Sequence, residues 1–70
     1  MQFAQRFRDL REDHEPQITQ GQLGKILGMS QRKVSALERN ETEPNLSDII
    51  AICKYFKVSS DYLLGLTSKL

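Results

Sequence analysis

Four short polar residues, Thr19, Ser30, Asn45 and Ser59, punctuate the chain, and each opens a run whose apolar residues recur at helical spacing. A side-chain oxygen at such a position accepts from a backbone N–H that the first turn of a helix leaves without a partner. Gln22 follows Thr19 at the spacing of a capping box. Apolar residues just before these caps find partners one turn inside the next helix: Ile18 with Leu23, Met29 with Val34, Val58 with Leu63. Such staples fix the angle at which the chain enters each helix. The apolar sets Phe3, Phe7, Leu10; Leu23, Ile26, Leu27; Val34, Leu37; and Ile49, Ile52, Cys53, Phe56 all follow the helical period. No segment alternates as a strand does. The spacing therefore predicts an all-α bundle of about five short helices joined by tight turns.

The stop signals agree. Helix 1 runs from near Phe3 to near Asp13 and is broken at His14-Glu15-Pro16-Gln17, where Pro16 also disfavours the helical state for Glu15. Gly28 ends helix 2, Asn40 tolerates the left-handed cap of helix 3, Glu41 to Pro44 is a loop, and Gly65 ends helix 5. Asp48 lies near the N-terminal dipole of helix 4. His14 reads as a solvated loop residue and Cys53 as an inert buried thiol. Thr67 to Leu70 is a tail or the start of something further.

Seventy residues make one domain at most, here 1–70, with a modest core and little material for a walled catalytic pocket. A single cysteine excludes an internal disulfide and a cysteine-based zinc site within one chain. No metal cluster, nucleophile–base pair or phosphate-cradling glycine loop is present, so an enzyme is the least favoured class and no cofactor is expected. No apolar stretch approaches a membrane span, and the N-terminus lacks the order of a secretion signal. A reducing cytoplasmic setting fits. The net charge is only +1, but it is unevenly spread. Between Gln20 and Asn40 stand Lys25, Arg32, Lys33 and Arg39 against Glu38 alone, whereas Glu41, Glu43 and Asp48 follow without a cation. Such local excess holds DNA even when the total is near zero.

The stretch Thr19 to Arg39 is the most informative. Two helices joined by a short turn containing Gly carry the sequence mark of a helix-turn-helix. Close crossing needs a small residue on helix 2, which Gly24 supplies. The turn needs Gly28, and Val34 and Leu37 dock helix 3 on helix 2. The ordered run Ile18-Thr19-Gln20, Leu23-Gly24, Leu27-Gly28-Met29-Ser30, Val34-Ser35, Leu37-Glu38-Arg39 resembles the Cro/CI-type (XRE) helix-turn-helix family. The likeness continues through Pro44-Asn45-Leu46 to Val58-Ser59-Ser60-Asp61-Tyr62-Leu63-Leu64-Gly65, and covers about Phe7 to Gly65.

That resemblance implies a lambda-repressor-like domain whose third helix enters the major groove, with dimers on near-palindromic double-stranded DNA. It implies base contacts from Gln31 and Arg32, which bond adenine and guanine bidentately, and from Ser35 and Ala36 further along the same surface. Gln20, at the start of helix 2, matches a phosphate clamp, and Lys33 and Arg39 match phosphate contacts. Lys25 reads as solvated. Arg11 and Glu38 match a pair that bridges helices 1 and 3 and orients the recognition helix. A dimer face near helix 5 would draw on Tyr55, Tyr62, Leu64 and Leu66. The function so implied is a bacterial or phage transcriptional regulator, a repressor acting as a homodimer. The alternative is an antitoxin-type module that binds a toxin and also represses its own operon. With no effector pocket evident, control would come from concentration, a protein partner or a missing C-terminal domain.

Three departures from the family pattern stand out, the first being that the loop at His14–Gln17 is longer than the shortest family versions and is expected to be a surface excursion without effect on the groove contacts. Gly21 and Gly24 both lie in helix 2, where a glycine costs about 1 kcal/mol relative to alanine. Close packing accounts for Gly24, whereas Gly21 has no role legible in the sequence beyond loosening the helix start. Glu41 and Glu43 place acid in a loop that is often basic in relatives, which weakens non-specific attraction to DNA.

Overall fold

The computed structural model describes residues 2–69. The helices are α1 (Phe3–Glu12), α2 (Gln20–Leu27), α3 (Gln31–Glu38), α4 (Leu46–Phe56) and α5 (Ser60–Leu63), and no strand occurs among the described residues. All four polar caps act. Thr19 Oγ1 accepts from the Gln22 N–H at 3.1 Å, and Gln22 Oε1 accepts from the Thr19 N–H at 2.8 Å, closing the capping box. Ser30 Oγ accepts from the Lys33 N–H and Ser59 Oγ from the Tyr62 N–H. Asn45 forms a second box: its Oδ1 accepts from the Asp48 N–H at 2.8 Å, and Asp48 Oδ2 accepts from the Asn45 N–H at 3.0 Å.

The stops are equally local. Gly28 ends α2 at φ 74°, and the Gly28 and Met29 N–H groups both donate to the Gly24 carbonyl. Asn40, at φ 59°, ends α3, with the Glu41 N–H donating to the Ala36 carbonyl and the Asn40 N–H to that of Leu37. This is the doubly bonded left-handed cap of a Schellman motif. Lys57 ends α4 in the same left-handed region at φ 58°. A lysine there bears a steric penalty of roughly 1–2 kcal/mol that glycine escapes. Glycine has more chain entropy to lose on folding, which returns part of that gain. Lys57→Gly is therefore expected to stabilise the domain by about 0.5–1 kcal/mol and to raise Tm by a few degrees. Calorimetry checks it, and a lower Tm would contradict the strain argument.

Phe3, Phe7, Leu23, Val34, Leu37, Ile52 and Leu63 form one buried cluster drawn from all five helices. Leu10, Ile18, Leu27, Met29, Ile49, Cys53 and Phe56 pack around it. α2 and α3 make the most extensive helix pair, and α1 backs α3. Cys53 is half-buried, and burial pushes its thiol pKa up, which suppresses thiolate reactivity. The loop after α1 departs from expectation. His14 is half-buried rather than solvated: its ring stacks on Tyr55 at 5.6 Å, Nε2 lies 2.7 Å from the Tyr55 hydroxyl, and Nδ1 lies 2.8 Å from the Pro16 carbonyl. One ring thus pins the loop to α4, a contact with no local sequence signature.

Candidate nucleic-acid interface

A helix of eight residues with one buried edge offers little surface, so the orientation of α3 decides what it presents. Val34, Leu37 and Glu38 are its buried residues. At about 100° per residue, Arg32, Ala36 and Arg39 fall on the opposite side, with Ser35 beside them. Arg32 and Arg39 are exposed there, and Ser35 and Ala36 are half-buried. Gln31 lies on the flank turned to α2 and Lys33 on the flank turned to α4. The close approach of Gln31 to Gly21 and the contact of Lys33 with Asp48 follow from that placement.

Glu38 gathers three helices. Arg11 Nε donates to Glu38 Oε2 at 2.6 Å and Nη2 to Oε1 at 3.0 Å, while Nη1 reaches the Ile18 carbonyl at 3.2 Å. Gln20 Nε2 donates to Glu38 Oε1 at 3.1 Å. The Glu38 side chain is only 2 % exposed and that of Arg11 15 %. The guanidinium pKa is raised above its ordinary value, first by the hydrogen bonds to Glu38, with burial acting against them. The cluster therefore fixes α3 against α1 and sets the first side chain of α2 beside it. The sequence offered the Arg11–Glu38 register, but the third arm from Gln20 had no signal of its own.

The other flank is held by a pair that the sequence did not show. Lys33 Nζ lies 2.9 Å from Asp48 Oδ1, with the carboxylate side chain 7 % exposed and that of Lys33 38 %. Asp48 thus serves α4 through its cap and α3 through Lys33. Arg39 forms an exposed pair with Glu41 at 3.1 Å, the kind that is worth little in water. Among the described residues Arg32 has no ion-pair partner, and Lys25 is exposed.

Gly24 is where α2 and the turn meet. A Cβ on Gly24 would sit 2.6 Å from the Met29 carbonyl oxygen. Beside this crossing, an open basin of about 440 Å³ is lined by Arg11, Gln17, Ile18, Thr19, Gln20 and Gln31. It lies against the N-terminus of α2, where the helix dipole and unpaired N–H groups favour an anion. The start of α2 and the first residue of α3 thus line one solvent-facing basin.

Residues 7–63 match the helix-turn-helix family of Cro/CI type. The chain belongs to that family. Among curated relatives, repressor protein C2 of Salmonella phage P22 is 47% identical over 47 residues, covering 67% of this chain and 22% of that protein. The uncharacterized HTH-type transcriptional regulator YobD of Bacillus subtilis (strain 168) is 32% identical over 65 residues, covering 93% of this chain and 56% of its own length. The chain thus spans only part of each relative. The P22 c2 repressor in complex with a synthetic operator superimposes with a TM-score of 0.77 at 39% identity, over 87% of this chain and 89% of that one. The solution structure of the c2 DNA-binding domain gives 0.76 at 40% identity, over 89% and 79%. The helix-turn-helix protein described here has the all-α, lambda-repressor-like fold of that domain. Among the described residues no helix is long and apolar enough to cross a membrane.

Proposed function

We propose that residues 1–70 act as a single sequence-specific DNA-binding domain of a transcriptional repressor, bacterial or phage-encoded, working on DNA in the cytoplasm. The observation that carries this reading is the likeness, over 87% of this chain, to a repressor solved in complex with an operator. In this reading α3 enters the major groove. Gln31 and Arg32 read base edges, and Ser35 and Ala36 contact bases further along. Gln20 meets a phosphate at the basin by the α2 N-terminus. Lys33 retains N–H donors beyond the one spent on Asp48, so a phosphate can share its ammonium, and Arg39 exchanges Glu41 for a second phosphate.

A homodimer would place two such helices on successive turns of a near-palindromic operator. Leu66, at 74% exposure just past α5, offers apolar area for that contact, whereas Tyr55 and Tyr62 are engaged with His14 and Arg6. An enzymatic role finds no support in the family, and the antitoxin-type alternative is not favoured, since both curated relatives carry regulator names.

Titrations of paired variants test the division of labour. Arg32→Ala is expected to weaken the cognate site by about 1–3 kcal/mol and to relax preference at one base pair of each half-site, with little change on random DNA. Arg39→Ala is expected to weaken all duplexes alike and to lower the salt slope by about 0.9. Equal losses on specific and random DNA for both variants would overturn the assignment of base reading to Arg32.

A further inference from the structure

Gly21 is the second residue of α2, and its backbone gives no reason for glycine: the glycines with positive φ are Gly28 and Gly65. Alanine is the better helix former at such a position. The reason lies instead across the helix pair. A Cβ on Gly21 would lie 3.3 Å from Gln31 Oε1 and 3.8 Å from Gln31 Cδ, with Thr19 Oγ1 next at 3.9 Å. The one group that a methyl would crowd is therefore the side-chain amide of Gln31. That crowding touches no backbone, in contrast to Gly24, whose Cβ would meet the Met29 carbonyl.

We propose that Gly21 is a positioning residue for base reading: its missing side chain gives the Gln31 amide a resting place against α2, which sets the angle at which that amide reaches the groove. The inference rests on the reading of Gln31 as a base contact. A glutamine bonds adenine through both N6 and N7 only when its amide plane is aligned with the base. A methyl on Gly21 shifts that amide by a few tenths of an ångström or rotates it away. Arg32 and Ala36 lie about 100° or more around α3 from Gln31, and Ser35 lies one turn further along the helix, so the disturbance falls first on the base pair that Gln31 reads.

The distinguishing mark is that folding and reading move in opposite directions. Gly21→Ala should leave Tm unchanged or raise it by a few degrees, because helix propensity improves and the crowded neighbour is a mobile side chain. Cognate affinity should nevertheless fall roughly tenfold, the scale of one bidentate base contact, with affinity for random DNA unchanged. The test is a double-mutant cycle of Gly21→Ala and Gln31→Ala, titrated on the preferred duplex and on duplexes with each half-site base pair changed in turn. The expected result is that Gly21→Ala shifts preference at one base pair in the native background and has no further effect once Gln31→Ala is present. If Gln31→Ala shifts preference but Gly21→Ala does not, or if Gly21→Ala weakens binding equally in both backgrounds, the role of Gly21 is overturned while Gln31 keeps its own. If Gln31→Ala leaves every base preference intact, the base-contact reading falls, and the role of Gly21 falls with it.

Discussion

Arg11→Met is expected to destabilise the domain by about 3–5 kcal/mol, the range seen when one partner of a buried ion pair is removed. Glu38 would keep only its bond from Gln20 while remaining buried beneath α3. A domain of this size holds roughly 4–10 kcal/mol in all, so the variant should be partly unfolded at ambient temperature. Urea unfolding measures it, with an unchanged m-value marking a loss of stability rather than of two-state behaviour. The pair itself adds less than its removal subtracts, because both charges left water to form it. Arg11→Met combined with Glu38→Leu should therefore regain most of the lost stability. It should not regain operator affinity, since the Gln20 amide loses the acceptor that holds it beside α3. A single variant within about 1 kcal/mol of the native chain would contradict the ascribed burial.

Gly24→Ala carries the second largest effect, and its sign is opposite to what helix propensity alone would give. Alanine in a helix interior gains about 1 kcal/mol over glycine. At this position the new Cβ would lie 2.6 Å from the Met29 carbonyl oxygen and 3.3 Å from the Ser30 carbonyl carbon, both backbone atoms of the turn. The Gly24 carbonyl also accepts the Met29 N–H at 2.7 Å, so the crossing is tied from both sides and cannot simply open. Overpacking of this kind costs roughly 1–3 kcal/mol, and Tm should fall by something on the order of 10 °C. Affinity for DNA should fall as well, because α2 and α3 would no longer present the phosphate and base contacts at one fixed separation. The same substitution at Gly21 should leave folding intact, so the two glycines separate packing from positioning. An unchanged Tm for Gly24→Ala would show that the turn yields more easily than this geometry allows.

Most of the fold was legible in the sequence because its signals are local. Thr19, Ser30, Asn45 and Ser59 cap in place, and Gly28 and Asn40 take the left-handed conformation where their chemistry makes it cheap. Lys57 ends α4 in that conformation without any such signal, with the Lys57 and Val58 N–H groups both donating to the Cys53 carbonyl. The site was less legible for a related reason. Which side of α3 faces out follows from Val34 and Leu37, but what holds each flank depends on residues distant in the chain. Asp48 reads locally as a helix-start residue, and nothing near it announces Lys33. Arg6 shows the same limit: its guanidinium donates to the carbonyls of Tyr62 and Thr67 and lies over the Tyr62 ring, tying the end of the described chain to α1. Gly21 looked like a defect in the sequence, and only the position of Gln31 in space gave it a reason.

If the outer face of α3 reads DNA sequence, this chain should recover a defined site from random DNA. Selection of bound duplexes from a random pool, with this chain at near-physiological salt, tests it most directly. Enrichment of a short near-palindrome is expected, with half-sites about one helical turn apart, as two symmetrically placed α3 helices require. A folded, helical protein that enriches no sequence would contradict it.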